Sequence, residues 1–598
     1  MSQPNRPVRI ANASGFYGDR LAAMRGIVDD GPVDVVTGDY LAELTMLILW
    51  KARRKDPSAG YARTFLTQLE QVLGAALDRG IRIVTNAGGL NPSGLATQIA
   101  ALAARLGLNP KVAWIDGDDL TGQIGELLAA GHDLTHLDTG RPLRGSGVTP
   151  LTANAYLGGW GIAAALDEGA DVVVCPRVTD ASLVAGPAAW WHGWARTDFD
   201  NLAGAAAAGH VIECGPQATG GNYPWPQEIR DRRRPGYPIA EVEADGSSVI
   251  TKHPGTGGLV SVGTVTAQLL YEIAGSAYAG PDVVTHFDTI RVAQEGPDRV
   301  RISGTRGGPP DGRLKVAINY SGGYRNTMTC VLTGLDIEAK AAVAEAQLFD
   351  ALGGKDQYEE VDVRLLRFDR PDAPTNAQAT AHLQVTVKDQ DRDRVGRRFS
   401  NAATELYLAG YAGFHTTTPP ADASDFGVYW PALVPAEVVT QRLMLPDGSA
   451  RIIAHTPSSS RSTPSSRTGP CVAPPAPVPL AGGTVRAPLG LVCGARSGDK
   501  GGNANVGLWT RTPAEFAWLR DYLTTGKFRE LLTEAADLPV HRHELANLLA
   551  VNFVITGLLG NGVADATRPD PQAKGLGEYI RSRHVDLPAQ FVREGRRP

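Results

Sequence analysis

Short apolar runs recur through the first third of the chain, and each is closed by small and polar residues. They are VRIANA (8–13), VDVVTGD (33–39), IRIVTNAGG (81–89), KVAWIDGDD (111–119) and ADVVVCPRVTD (170–180). The intervening segments carry helical spacing: within 61–79 lie Phe65, Leu66, Leu69, Leu73 and Leu77, and 93–106 is introduced by Pro92 and Ser93. Strand-like runs alternating with helix-like ones predict right-handed βαβ crossovers, and so an α/β core with a mostly parallel, Rossmann-like sheet.

The rhythm changes beyond about residue 330. A helix over 337–352, strands over 361–368 and 381–389 and a helix over 395–410 predict an additional α+β layer. A stretch rich in Ser and Pro, 456–483, reads as a linker because it lacks the large apolar residues a core needs. Beyond it, runs at 489–497, 505–511 and 548–559 with helices at 513–523, 526–535 and 541–548 predict a separate small α+β, ferredoxin-like domain. The expected organisation is an α/β core over 1–330, an α+β subdomain over 331–455, the linker over 456–483 and a C-terminal domain over 484–598.

Composition narrows the function classes. A net charge of −5 over 598 residues, with no long basic or acidic block, calls for neither nucleic acid nor anionic lipid. No run of about 20 apolar residues predicts a membrane span. The first ten residues lack an apolar signal region, so the expected address is cytoplasmic. Five well-separated cysteines with no CxxC pair read as reduced thiols, neither disulfides nor a zinc site. Glycine, at 69 residues, is in excess, which suggests many tight βα turns.

In an open parallel sheet, ligands bind beyond the carboxyl ends of the strands. The tips here offer Asn12, Ser14, Gly15 and Gly18, then Thr37, Gly38 and Asp39, then Asn86, Gly88, Gly89 and Asn91, then Asp116, Asp118 and Asp119, then Arg177, Thr179 and Asp180. ASGFYGD (13–19) approximates GxGxxG, and Asp39 follows Gly18 by 21 residues, the spacing of a dinucleotide fingerprint. Ala13 replaces the first glycine and Phe16–Tyr17 crowd the turn, so a phosphate or carboxylate held by backbone N–H groups is the broader reading. Asp116, Asp118 and Asp119 have the oxygen chemistry for a divalent cation, although one of them capping the next helix explains them as well.

Gly-rich runs at 213–225, 252–272 and 305–326 bring His253 and Arg306 forward as substrate-binding candidates. In ARSGDKGGNANVG (495–507), Arg496, Asp499 and Lys500 stand among glycines, as for an anion site. His541 and His543, two apart on an expected helix, face different ways and suggest no zinc site. Neither a GxSxG elbow nor a GxxxxGK[ST] loop occurs, which argues against a serine hydrolase or a P-loop NTPase.

IANASGFYGDR, TGDYLAELTM, TNAGGLNP, WIDGDD, TANAYLGGWGIAAALDEGADVVVCPRVTDASL and ECGPQATGGNY together resemble the acyclic terpene utilisation AtuA family over most of 7–455. RSGDKGGNANVGLW through VNFVITGLLGNGV resembles that family's ferredoxin-fold C-terminal domain. The resemblance implies catabolism of branched acids through acyl-CoA intermediates, by lyase or hydratase chemistry.

Such chemistry needs a base and donors for an enolate or oxyanion. Asp39, Asp116 or Asp180 is the expected base, with Asn86, Arg177 and the N–H groups of Gly88 and Gly89 as stabilisers. Ser14, Gly15 and Gly18 are expected to hold a carboxylate or CoA, with Arg496 and Lys500 closing from the C-terminal domain, within one chain or across a homo-oligomer. CoA enters as part of the substrate, and a requirement for a divalent cation is left open. The alternatives are a non-catalytic binding or assembly subunit of a catabolic complex, and a nucleotide-dependent oxidoreductase.

Overall fold

The computed structural model describes residues 6–42, 45–229, 231–458 and 482–592. Most of the 456–483 linker expectation lies outside the described residues. The five apolar runs all form strands: β1 (Val8–Asn12), β2 (Val35–Gly38), β3 (Arg82–Thr85), β4 (Val112–Asp116) and, after β5 (Pro150–Ala155) of another sheet, β6 (Val172–Val174). They lie side by side as β1-β2-β3-β6-β4, every pair parallel. All residues of β2 and β6 are buried, so both faces of the sheet are covered and the strands read as unbroken apolar runs.

The sheet as a whole is mixed rather than mostly parallel. β7 (Pro238–Val242) and β8 (Ser248–Lys252) add antiparallel beyond β1, followed by Arg299–Ser303 and Arg291–Gly296. Beyond β4 come Arg442–Met444 and Ala450–Ile452, also antiparallel. These additions come from hairpins late in the sequence, whose partners lie hundreds of residues away and leave no local pattern.

Ala11, Val36, Ile83 and Val172 point to one face, against helices Ala23–Asp30, Arg63–Glu70, Leu73–Asp78 and Pro92–Arg105. Helices Trp160–Asp167, Ser182–His192 and Phe199–Ile212 pack on the other. The chain leaving β3 therefore turns to the first face and the chain leaving β6 to the second. The two connections part between the carboxyl ends of β3 and β6, the kind of switch point at which open α/β sheets bind ligands.

The chain forms two compact units. The first joins 1–319, 429–563 and 572–598; the second is 320–428 with 564–571. In the second, strands Glu360–Arg367 and Thr380–Asp389 and the later part of Arg313–Thr333 carry helices Ile337–Leu352 and Arg397–Ala409 over an apolar core.

Residues 494–555, within the first unit, build a four-stranded antiparallel sheet ordered Gly494–Lys500, Asn503–Trp509, Ala550–Ile555, Val540–Leu545. The helix expected over 541–548 is instead the strand Val540–Leu545, for its sequence has no apolar stripe of helical period. His541 and His543 therefore share a face. ARSGDKGGNANVG is not a loop but two paired strands, with Lys500 opposite Asn503 across a Gly501–Gly502 turn in which Gly501 has φ +61°.

Candidate active site at the carboxyl edge of the central sheet

The carboxyl edge of β2, β3 and β6 gathers four of the residues that the strand tips offered. Asp39, just past β2, receives Asn86 Nδ2 at 2.6 Å and the Leu41 N–H at 3.1 Å. Asn86 Oδ1 accepts the Tyr40 N–H at 2.8 Å, which fixes the orientation of its amide. Arg177, just past β6 and buried, donates to the Leu41 carbonyl, stands 4.2 Å over the Tyr156 ring and pairs with Asp180 at 3.3 Å. The Asp180 side chain keeps 29% of its surface accessible, more than Asp39 or Arg177, although its Oδ1 is buried.

Residues that sequence reasoning passed over complete the cluster. Helix Phe199–Ile212 delivers His210 and, at its end, Glu213, whose Oε1 lies 3.3 Å from His210 Nδ1. Asn12 at the tip of β1 holds this helix end through the Ile212 and Glu213 carbonyls, at 2.9 and 2.7 Å. Tyr278 stacks beside His210 and Phe287. Lys500 reaches in from the C-terminal sheet, donating to the Glu272 carbonyl at 2.9 Å with its ammonium 5.4 Å from the Tyr278 ring.

So many carboxyls in one buried place cannot all be charged. Burial holds Asp39 well above the usual carboxylate range; Asp180 adds to this, while Arg177 and Asn86 oppose it. Glu213 is raised likewise by burial, then by Asp180 and Glu272, against Lys500 and Arg177. Burial pushes His210 down to about 4, with Lys500 acting in the same direction, so its ring is neutral at physiological pH. Arg177 thus faces Asp180 beside two carboxyls that burial holds well above the usual carboxylate range, with Lys500 as a second cation.

Lys500 is placed by the alternation of its strand. Ala495, Ala504, Val506 and Leu508 face the C-terminal core, so Arg496, Gly498, Lys500, Asn505 and Gly507 face the rest of the unit. Asn505 donates to the Leu270 carbonyl at 3.0 Å and accepts the Glu272 N–H at 2.8 Å; Asn552 donates to the Ile273 carbonyl at 3.2 Å. A Cβ on Gly498 would lie 2.3 Å from the Tyr271 ring, and one on Gly507 2.7 Å from Leu270 Cβ. The glycines of this motif thus admit a close approach, and the domain is docked in place.

Other candidates are engaged elsewhere. The Gly15 N–H donates to Asp19 Oδ2 at 2.9 Å, so the β1 loop is already occupied by its own carboxylate. Ser14 Oγ binds the Phe16 carbonyl, and Gly18 packs against the Phe16 ring. The N–H groups of Gly88 and Gly89 donate to the carbonyls of Cys175 and Asn86. His253 binds the Ile27 carbonyl, Arg306 pairs with Asp200 at the surface, and Asp499 lies opposite Ala504 in the hairpin. Arg496 contacts Gln217 and lies 4.1 Å over the Tyr271 ring.

Asp116 is turned outward, paired with Arg442 at 2.7 Å, in a cleft of about 510 Å³ also lined by Asp118, Asp119, Pro92 and Thr440. Asp119 caps the turn at Thr121. Asp118 is buried, accepts from Asn154 Nδ2 and the Arg177 N–H, and is pushed up to about 7 by burial. Among the described residues no cluster of three or more His, Cys, Asp or Glu is arranged to hold a metal ion, and no helix is long and apolar enough to cross a membrane.

The family model described as acyclic terpene utilisation family protein AtuA matches residues 8–445. The chain belongs to the AtuA family. The AtuA ferredoxin-like domain matches residues 487–586, which includes the four-stranded sheet that carries Lys500. Comparison with curated proteins and with solved structures returned no match. In this AtuA chain the two matched regions meet at one cluster, Arg177 and Asp180 from the first and Lys500 from the second.

Proposed function

We propose that the chain is a catabolic enzyme that performs lyase or hydratase chemistry on a branched carboxylic acid or its CoA thioester. The observation that carries this reading is the Arg177–Asp180 pair, set beside Asp39 and Glu213, whose carboxyls burial holds above their usual range, with the Lys500 ammonium near them. Membership of the acyclic terpene utilisation family supports a branched acid as substrate.

Asp180 is the base, because its carboxyl is the most exposed of the set and Arg177 balances its charge. It takes the proton next to the carbonyl, or from a hydroxyl. Arg177 holds the base in place, and Lys500 faces the developing oxyanion in a site with little water, where a fixed cation acts strongly. A positioned base or acid contributes about 10²–10⁴ in rate. Asp39, fixed by Asn86, orients the arrangement. The filled β1 loop does not favour a dinucleotide.

Thermal shifts with short 3-hydroxy and dicarboxylic acids, their CoA thioesters and NAD(P) test the reading. Acids or thioesters should raise the Tm of the wild type and fail to do so in Lys500→Ala. Stabilisation by NAD(P) alone would sink the proposal.

A further inference from the structure

Glu213, like His210 beside it, buries a polar side-chain atom that no hydrogen bond satisfies. Its side chain keeps only 10% of its surface, and Oε2 is buried without a hydrogen-bond partner. Buried polar atoms in native proteins are almost always paired, so an orphan among functional groups needs a reason. The residue also sits at the carboxyl end of the fourteen-residue helix Phe199–Ile212, where the helix dipole disfavours a negative charge. The Asp180 and Glu272 carboxylates act on it in the same sense. Every neighbouring influence except Lys500 and Arg177 favours a carboxylic acid.

We infer that Glu213 is the proton donor of this site, its orphan Oε2 meeting an oxygen of the bound substrate, and that His210 is its positioning residue. The inference rests on the lyase or hydratase reading above. In the loss of water from a 3-hydroxyacyl unit, Asp180 takes the proton from the carbon next to the carbonyl. That C–H electron pair becomes the C=C bond, the C–O bond breaks, and Glu213 gives its proton to the departing hydroxyl, which leaves as water. Passing the proton from Asp180 back to Glu213 restores the resting site.

Neither ring nitrogen of His210 has a hydrogen-bond partner, so the 3.3 Å approach of Nδ1 to Glu213 Oε1 places the carboxyl by close contact and leaves its proton uncontested. The ring is buried, neutral and packed at an angle against the stacked Tyr278–Phe287 pair. The Asn12 clamp on the Glu213 carbonyl fixes the backbone at the same place.

Infrared spectra of the full chain in H₂O and D₂O at neutral pH test this without a substrate. Wild type should show protonated-carboxyl absorbance, of which Glu213→Gln removes one component and Asp39→Asn another. Glu213→Asp should move the Glu213 component rather than abolish it, which keeps the test alive if the Gln variant folds poorly. His210→Phe should shift the frequency of that component while leaving it present. Unchanged absorbance in both Glu213 variants would overturn the proton-donor assignment, and an unmoved component in His210→Phe would overturn the positioning role. If the Glu213 component is present and no acid or thioester stabilises the protein, the reaction class fails while the proton on Glu213 stands.

Discussion

Arg177 Nη2 meets Asp180 Oδ1 at 3.3 Å, and the guanidinium has almost no contact with bulk water. Removing one member of a buried pair costs about 3–5 kcal/mol, because the other is left uncompensated. Arg177→Met should therefore lower the denaturant midpoint strongly at pH 8. Arg177→Lys, which keeps a cation beside Asp180, should lose less. Equal losses in the two variants would show that Arg177 acts by packing on the Tyr156 ring and not through its charge.

Asp118 supplies a cleaner pH signature. Its carboxyl, ordinarily near 3.8, titrates at about 7 when folded. The native state thus holds a proton that the unfolded chain has released, and stability falls as pH rises from about 4 through 7. Both hydrogen bonds it accepts end on the same oxygen, Oδ2, so an asparagine can keep them. Asp118→Asn should leave stability at pH 5 nearly unchanged and raise it at pH 8 by about 1–3 kcal/mol. Thermal melts across that range would refute the assignment if the two proteins ran parallel.

Asp116 predicts the opposite. Its partner Arg442 is half exposed, and exposed pairs contribute about 0–1 kcal/mol. Asp116→Asn should shift the Tm little and leave ligand-induced stabilisation intact. A lost ligand response would return Asp116 to the list of candidate bases.

The contrast between these two aspartates shows where sequence reading stopped. The strand tips were legible because parallel strands covered on both faces leave unbroken apolar runs, and their carboxyl ends must share an edge. That reasoning brought Asp39, Asn86, Arg177 and Asp180 to one place. It could not tell which aspartate after β4 turns inward, since that is decided by Gly117 at φ +101°, pressed against the Thr440 carbonyl from 323 residues later. Glu213 opens the run ECGPQATGGNYPW, whose glycines draw notice away from it. Nothing local marks it as buried beside His210; Asn12, some two hundred residues earlier, holds its carbonyl. The ARSGDKGGNANVG segment misleads in another way, because glycine depresses strand propensity although two of these glycines lie in strands.

Gly498 lies on the strand between Arg496 and Lys500, with an ideal Cβ position 2.3 Å from the Tyr271 ring, a contact that no real side chain tolerates. Tyr271 is itself held by Arg496 and Lys574 over its ring and by a 2.5 Å hydrogen bond from Lys574, so it has little room to yield. Overpacking of this kind costs about 1–3 kcal/mol, and here the strain falls on the docking face rather than inside the C-terminal core. Gly498→Ala should lower the Tm and draw Lys500 away from Glu213, weakening ligand stabilisation more than the loss of Tm alone explains. The Ala504→Gly control, on the opposite face, should lower the Tm through the core yet leave the ligand response intact. Equal ligand responses in the two variants would show that docking of the ferredoxin-like domain does not set the position of Lys500.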